Sequence, residues 1–333
     1  HDAEILLRRA DVIWGFDVLP DGRIVFTERK GRLAIFDPKT GKASGVAGAP
    51  AVWARGQGGL LDVRVHPGFA ENGLIYLTWS HPVDGGGATA LGRGRLENGK
   101  LEGFERLLLT DAGGGRGEHF GSRIAFDGPR LYMSVGERGQ RDLAQDPRRH
   151  NGKILRLTHD GKPDGAAIPG ALPEIWSMGH RNPQGLAVRP GTKQLWSDEM
   201  GPRGGDELNL IKRGANYGWP AVTYGREYYG PRIGTTAKEG VEQPAAHWVP
   251  SISPSAMAFY DGAAFPRWRG SVFLACLSGE QIRRVALDGD VPGEQEVLLG
   301  DRGWRFRNVR QGPDGLLYFS TDDGRLGRIA PAR

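Results

Sequence analysis

The chain has one cysteine, Cys276, so no intrachain disulfide can form and thiols do not report its compartment. No apolar run approaches the roughly 18–20 residues a membrane helix needs, so no helical span is expected. There is no G-x-S-x-G elbow, no Walker A loop and no H-E-x-x-H pair. No glycine fingerprint opens a βαβ unit, so an oxidoreductase built on this sequence needs a cofactor other than conventionally bound NAD. Long blocks of one charge are also missing. The formal net charge is +5, but Lys and Arg are interleaved with Asp and Glu, which fits a solvated surface and no nucleic-acid partner. The chain opens at His1 without Met, as expected of a removed signal peptide or a trimmed start.

Glycine, in contrast, is abundant, with 53 residues, about twice the usual share. It is spread without a collagen period, which points to many tight turns between short strands. One pattern recurs: apolar strand, Pro/Asp/Gly turn, apolar strand, turn. It runs through GFDVLPDGRIVFTERKGRLAIFD (Gly15–Asp37), LLDVRVHPGFAENGLIYLTWS (Leu60–Ser80) and SRIAFDGPRLYMSVGE (Ser122–Glu137), the last closed by GKILRLTHDG. It returns in QGLAVRPGTKQLWSDE (Gln184–Glu199), SAMAFYDGAAFPRWRGSVFLACL (Ser255–Leu277) and RNVRQGPDGLLYFSTDDGRLGRIAP (Arg307–Pro331). Apolar and polar residues alternate within each copy, as half-buried strands require. Six such copies predict an all-β fold, a six-bladed β-propeller of four-stranded antiparallel blades forming one domain over residues 1–333. The N-terminal strand near Ile5–Arg9 is expected to close the ring beside the last blade. The long segments Trp53–Gly59, Gly113–Gly121, Arg138–Asn151, Met200–Gly240 and Gly300–Arg305 are rich in Gly, Arg, Asp and aromatics, and loops of that kind on one face would build a pocket over the axis.

Those loops carry the residues capable of chemistry. His119, in GRGEHFGSR, is either a general base or a solvated loop histidine. Adjacent Glu118, or Glu137 at the end of the next strand, are the acids able to orient it. Arg181 and Asn182 precede a proline in GHRNPQGLAV, which forces extended geometry at the strand entrance. An arginine there suits a developing oxyanion, or else is a surface charge in a turn; neighbouring His180 reads as packing. The stretch Ser197–Pro220 concentrates Asp198, Glu199, Asp206 and Glu207 among glycines. Hard oxygen donors of this sort suit Ca²⁺, although no EF-hand spacing is present, and an acidic surface loop is the alternative. Arg305 and Arg307 flank Phe306 and share one strand face, which suits a ligand bearing carboxylates or a solvated edge. Gln57 lies between glycines, where backbone can approach a ligand closely.

In this order the segments GQGGLLDV, EHFGSRIAFDG, GHRNPQGLA, GPRGGDELNLIKRGANYGWP, SPSAMAFY and RFRNVRQGPDG resemble the soluble PQQ-dependent aldose sugar dehydrogenases, within the soluble quinoprotein glucose dehydrogenase family. The resemblance runs from about Gly15 to Pro331. It implies pyrroloquinoline quinone (PQQ) in a pocket on one face of the ring. His119 then falls on the general base, Glu137 on the acid supporting it, and Arg181 with Asn182 on residues facing the reactive carbonyl. Gln57, Glu118, Tyr228, Arg305 and Arg307 fall on cofactor contacts. The carbonyls of Gly201 and Pro202 match ligands of a Ca²⁺ that holds PQQ, and Glu207 with the Tyr217 carbonyl match a second, structural Ca²⁺. Two departures stand out: Ser278 occupies a position where the family often has a cofactor-contacting Lys, and Glu118 replaces an Asp of the glucose branch.

The resemblance further implies oxidation of an aldose at C1 to the lactone, with His119 removing the hydroxyl proton and the hydride passing to the quinone. Electrons then leave to an acceptor the sequence does not identify, from a monomer or dimer that is periplasmic or secreted. Two competing readings are a Ca²⁺-dependent lactonase-type propeller hydrolase and a non-catalytic sugar- or protein-binding propeller.

Overall fold

A computed structural model describes residues 2–331. Its strands form six four-stranded antiparallel sheets. Blade one comprises Ile13–Val18, Ile24–Glu28, Arg32–Asp37 and Lys42–Val46; blade two Leu60–Val65, Leu74–Val83, Gly86–Glu97 and Lys100–Leu109. Blade three comprises Ile124–Asp127, Arg130–Val135, Lys153–Thr158 and Ile175–Met178; blade four Pro183–Val188, Leu195–Glu199, Asp206–Ile211 and Ala246–Trp248. Blade five holds Pro254–Phe259, Val272–Cys276, Gln281–Asp288 and Val291–Leu298, and blade six Phe306–Gln311, Leu317–Thr321 and Arg325–Ala330. The N-terminal strand Asp2–Arg8 completes blade six by pairing antiparallel with Arg325–Ala330, so the two ends of the chain close the ring. Each inner strand packs against the next, and the first against the last, which gives the six-bladed propeller.

Amphipathicity explains the packing. Second strands, such as Ile24–Glu28 and Val272–Cys276, are buried along their whole length, while the outer strand Lys42–Val46 is mostly exposed. Apolar side chains from adjacent blades interleave, as with Val25, Leu33, Leu60, Val63 and Leu77 between blades one and two. Blades five and six are joined in the same way by Phe273, Ile282, Phe306, Val309 and Phe319. Burying each such side chain contributes about 1.5–3 kcal/mol before chain entropy is counted.

The axis is held by charge rather than by apolar contact. The fully buried Asp62 carboxylate accepts from Arg123 Nη1 at 3.0 Å, Arg310 Nη2 at 3.2 Å and the Ile124 amide at 3.0 Å. Arg123 also donates to the carbonyls of Gln184 and Ser255, and its guanidinium lies 4.3 Å over the Trp14 ring. One buried arginine, at the entrance to blade three, thus touches blades one, two, four and five.

Five of the six inner strands carry a register shift at their entrance, between Ile13/Gly15, Leu60/Val63, Pro183/Gly185, Pro254/Ala256 and Phe306/Asn308. Bulges re-aim side chains, and here they all lie on one face of the ring, where the long loops gather. The predicted loop Met200–Gly240 needs correction: residues Asp206–Ile211 within it form the third strand of blade four. Asp198, Glu199, Asp206 and Glu207 are accordingly buried strand residues and not an acidic surface loop.

Candidate active site

On the bulged face the loops enclose a cavity of about 820 Å³. Gln57, His119, Arg181, Asn182, Gly201, Pro202, Tyr228, Ser278, Arg305 and Arg307 all line it, although they come from segments across the whole chain. Its charged lining consists of Arg181, Arg203, Arg226, Arg305 and Arg307, with no carboxylate. Glu118 is not in the lining; its side chain points to Arg116 at 3.5 Å and is partly exposed. Glu137, Glu207 and Tyr217 also lie outside the lining, directly behind it.

His119 sits at φ +54°, a left-handed conformation that costs a non-glycine residue about 1–2 kcal/mol. Its neighbours hold it there. Gln57 Oε1 accepts from the His119 amide at 2.9 Å. The Gln57 loop presses on the His119 loop so closely that a Cβ on Gly56 would stand 2.3 Å from the Gly117 carbonyl. From the other side, the buried Arg138 guanidinium donates to the carbonyls of Glu118, Gly87 and Ala112 and stacks 3.5 Å from the Phe120 ring. Of the two acids considered for orienting the imidazole, Glu137 does so, in a short contact with Nδ1. That leaves Nε2 as the basic nitrogen. Burial lowers the His119 pKa below its ordinary value; Glu137 opposes this, and nearby Arg181 reinforces it. The ring is therefore neutral near pH 7.

Arg181 is fixed by its Nη1, which donates to the carbonyls of Met200 at 2.9 Å and Gly201 at 2.8 Å, while Nη2 reaches Tyr228 Oη at 3.4 Å. The amides of Arg181 and Asn182 both donate to Glu199, so the buried acid orders this turn. Asn182 Oδ1 accepts from the Gly121 amide and joins the turn to the His119 loop. His180 packs as expected, stacked 4.7 Å from the Tyr217 ring.

On the far wall, Asp322 accepts from Arg307 Nε at 2.7 Å and Arg305 Nε at 3.3 Å. Its amide donates to the Arg305 carbonyl as well. Burial alone would raise the Asp322 pKa, but the two guanidinium groups hold it below the usual carboxylate range, so it stays ionised. Reading the sequence did not find Asp322; nothing in TDDG distinguishes it from an ordinary turn aspartate. Ser278 lies in a hydroxyl chain: its Oγ is 2.7 Å from Ser253 Oγ, Ser253 is 3.2 Å from Ser251, and Ser251 donates to Asp206.

Among the described residues no cluster of three or more His, Cys, Asp or Glu side chains is disposed to hold a metal. Carbonyl donors are present, however. Gly201 and Pro202 line the cavity, and Gly201 also receives Arg181. Behind them a small space is lined by Glu199, Glu207, Tyr217 and Gly201. There Glu199 and Glu207 share the single Asn209 amide group, and Asn209 Oδ1 is buried without a partner. Two neighbouring buried carboxylates, with Asn209 donating to both and its orphaned amide oxygen beside them, fit a hard cation.

Known proteins agree with this architecture. Aldose sugar dehydrogenase YliI of Escherichia coli is 41% identical over 344 residues, covering 99% of this chain and 93% of that protein. The crystal structure of the soluble aldose sugar dehydrogenase of E. coli in its apo form superposes with a TM-score of 0.96 at 40% identity, covering 99% of both chains. The PQQ-bound form of aldose sugar dehydrogenase from Streptomyces coelicolor superposes at 0.84 with 29% identity, covering 99% of this chain and 98% of that one. The glucose/sorbosone dehydrogenase family model matches residues 10–329, and the chain belongs to that family.

Proposed function

We propose that the protein is a quinoprotein oxidoreductase that oxidises an aldose at C1 to the lactone with PQQ in the arginine-lined cavity. The observation that carries this reading is a cavity lined by five arginines and no acid, with a half-buried imidazole on its wall whose Nδ1 is held by Glu137. A planar tricarboxylate matches that cationic lining, and a neutral sugar alone does not. When bound, PQQ supplies the quinone carbonyl that accepts the C1 hydride.

The chain's own groups do the rest. His119 Nε2 takes the proton of the C1 hydroxyl, and Glu137 holds the tautomer and stabilises the imidazolium that forms. Arg181, clamped by two carbonyls, presents a fixed guanidinium toward developing negative charge. Arg305 and Arg307 bind cofactor carboxylates, with Gln57, Asn182, Tyr228 and Ser278 completing the wall. Glu118 contributes to the cofactor's edge only by way of its loop. The carbonyls of Gly201 and Pro202 hold a calcium ion at the cofactor, and Glu207 with the Tyr217 carbonyl holds a structural one. Ser278, standing where relatives often have a lysine, makes the cofactor site less cationic. No helix among the described residues is long and apolar enough to cross a membrane, and the reading places the enzyme in the periplasm or outside the cell.

Reconstitution tests the proposal. Apo-protein given PQQ, Ca²⁺, an aldose and a dye acceptor bleaches the dye if the reading is correct. Lactone hydrolysis without PQQ would favour a hydrolase instead, and sugar binding without either activity a binding module.

A further inference from the structure

The loop that brings Tyr228 over the site also builds an unusual array of charge. Arg203 and Arg226 form an antiparallel bridge, exchanging amide-to-carbonyl hydrogen bonds of 3.1 and 3.2 Å. Arg226 in turn bridges antiparallel to Arg232. Residues directly opposite in such a ladder project on the same side, so three arginine side chains lie in a row. All three are exposed, and none has an acidic partner within 4 Å among the described residues. The one acid in this hairpin, Glu227, is taken by Arg141 at 2.6 Å. Like charges placed opposite one another destabilise a ladder, so folding gives no reason for the row.

The row also has a definite position. Arg203 and Arg226 line the cavity mouth, while Arg232 lies outside it. Around the arginines stand Tyr228 (70% exposed), Tyr229 (82%) and Val249 (64%), three of the five exposed large apolar side chains among the described residues. Exposed tyrosine beside arginine is the composition of a protein interface core. A small anion would need only the two mouth arginines; the patch continues past them.

We propose that this patch docks the electron acceptor, a redox protein with an acidic face. The inference rests on the function proposed above: each aldose oxidised to a lactone releases two electrons and two protons. Two one-electron haem proteins, each passing from Fe(III) to Fe(II), take the electrons, and the protons go to solvent. Electron-transfer encounters bury little area, so a patch of this extent suffices, and steering by the arginines accelerates association at low salt.

The test compares native cytochrome c, which is basic, with succinylated cytochrome c, which is acidic, as acceptors for the PQQ- and calcium-loaded enzyme. The succinylated form is expected to be reduced faster at low ionic strength, with a rate that falls as salt rises. Arg232→Glu should slow that reduction roughly tenfold and leave aldose oxidation with a small neutral dye unchanged. Lys39→Glu, the same charge change on the turn at the opposite face, should have little effect. Tyr229→Ala, which keeps the charge, is a second variant and should slow reduction as well. Equal slowing by Arg232→Glu and Lys39→Glu would overturn the patch in favour of overall charge. So would equal rates with both cytochromes, reduction of neither, or wild-type rates in the Arg232 and Tyr229 variants. Failure of the wild-type enzyme to reduce even the small dye would instead remove the functional reading, and this inference with it.

Discussion

Replacing Glu137 with Gln isolates the base from its support while keeping side-chain shape. In the structure Glu137 Oε1 meets His119 Nδ1, its other oxygen is buried without a partner, and its backbone ties Arg181 and Asn151 into the site. The substitution leaves those backbone bonds in place and removes one negative charge. A hydrogen bond to a charged group contributes about 1.5–3 kcal/mol. Assigned to the imidazolium that forms as the hydroxyl proton is taken, that predicts a loss in kcat of about 10- to 150-fold. The pH profile gives the sign. His119 accepts a proton only when neutral, so activity is lost as pH falls through its pKa, which burial already lowers and Glu137 partly restores. Without the carboxylate the pKa falls further, and the acid limb moves to lower pH while the plateau drops. Because the outer position is an unpartnered buried oxygen in Glu137 and an unpartnered amide NH2 in the variant, one unsatisfied polar group is present in either form and the melting temperature should change little. An acid limb that moves to higher pH, or an unchanged plateau, would refute the assignment of His119 as base and Glu137 as its support.

Removing Asp322 sets positioning against electrostatics. An anion beside a tricarboxylate site should repel, yet Asp322→Ala is expected to weaken PQQ binding about tenfold, because two freed arginines each lose about 0.5–1.5 kcal/mol of ordering on binding; equilibrium titration reads the sign. Asp62→Ala leaves two buried guanidinium groups without their carboxylate and should cost about 3–5 kcal/mol in urea unfolding. Calcium should raise the melting temperature of the wild-type protein, and Glu207→Gln should reduce that rise, measured by calorimetry with and without chelator.

The architecture was legible because each blade repeats a local signal. Short apolar runs such as LAIFD or LYFST, with PDG or HPG turns, need no distant partner to be recognised. Ring closure was expected from an N-terminal strand near Ile5–Arg9 beside the last blade, and the strand that closes it is Asp2–Arg8. His119, Arg181, Arg305 and Arg307 could be found because motif resemblance placed them, and the fold brings all four to one cavity. What could not be read depends on long-range geometry. Asp62 meets Arg310 across 248 residues. Asp322 becomes informative only once blade six sets it behind Arg305 and Arg307, and the Arg203, Arg226 and Arg232 row exists only through isolated bridges within a long excursion of the chain. The acids of Ser197–Pro220 were read as hard oxygen donors with an acidic surface loop as the alternative, and the pairing of Asp206–Ile211 on both sides within blade four was not foreseen.

The central claim is that one planar quinone tricarboxylate sits among the arginines within reach of His119. Its most direct test is a titration of PQQ with calcium into the apo-protein, followed by absorbance and by quenching of Trp219, whose ring lies 5.4 Å from the Arg181 guanidinium; an aldose is then added anaerobically. Saturation at one PQQ per chain is expected in both the wild type and His119→Ala, with rapid bleaching of the quinone band by sugar in the wild type alone. Absence of saturable binding, or bleaching of the His119→Ala complex at the wild-type rate, would contradict it.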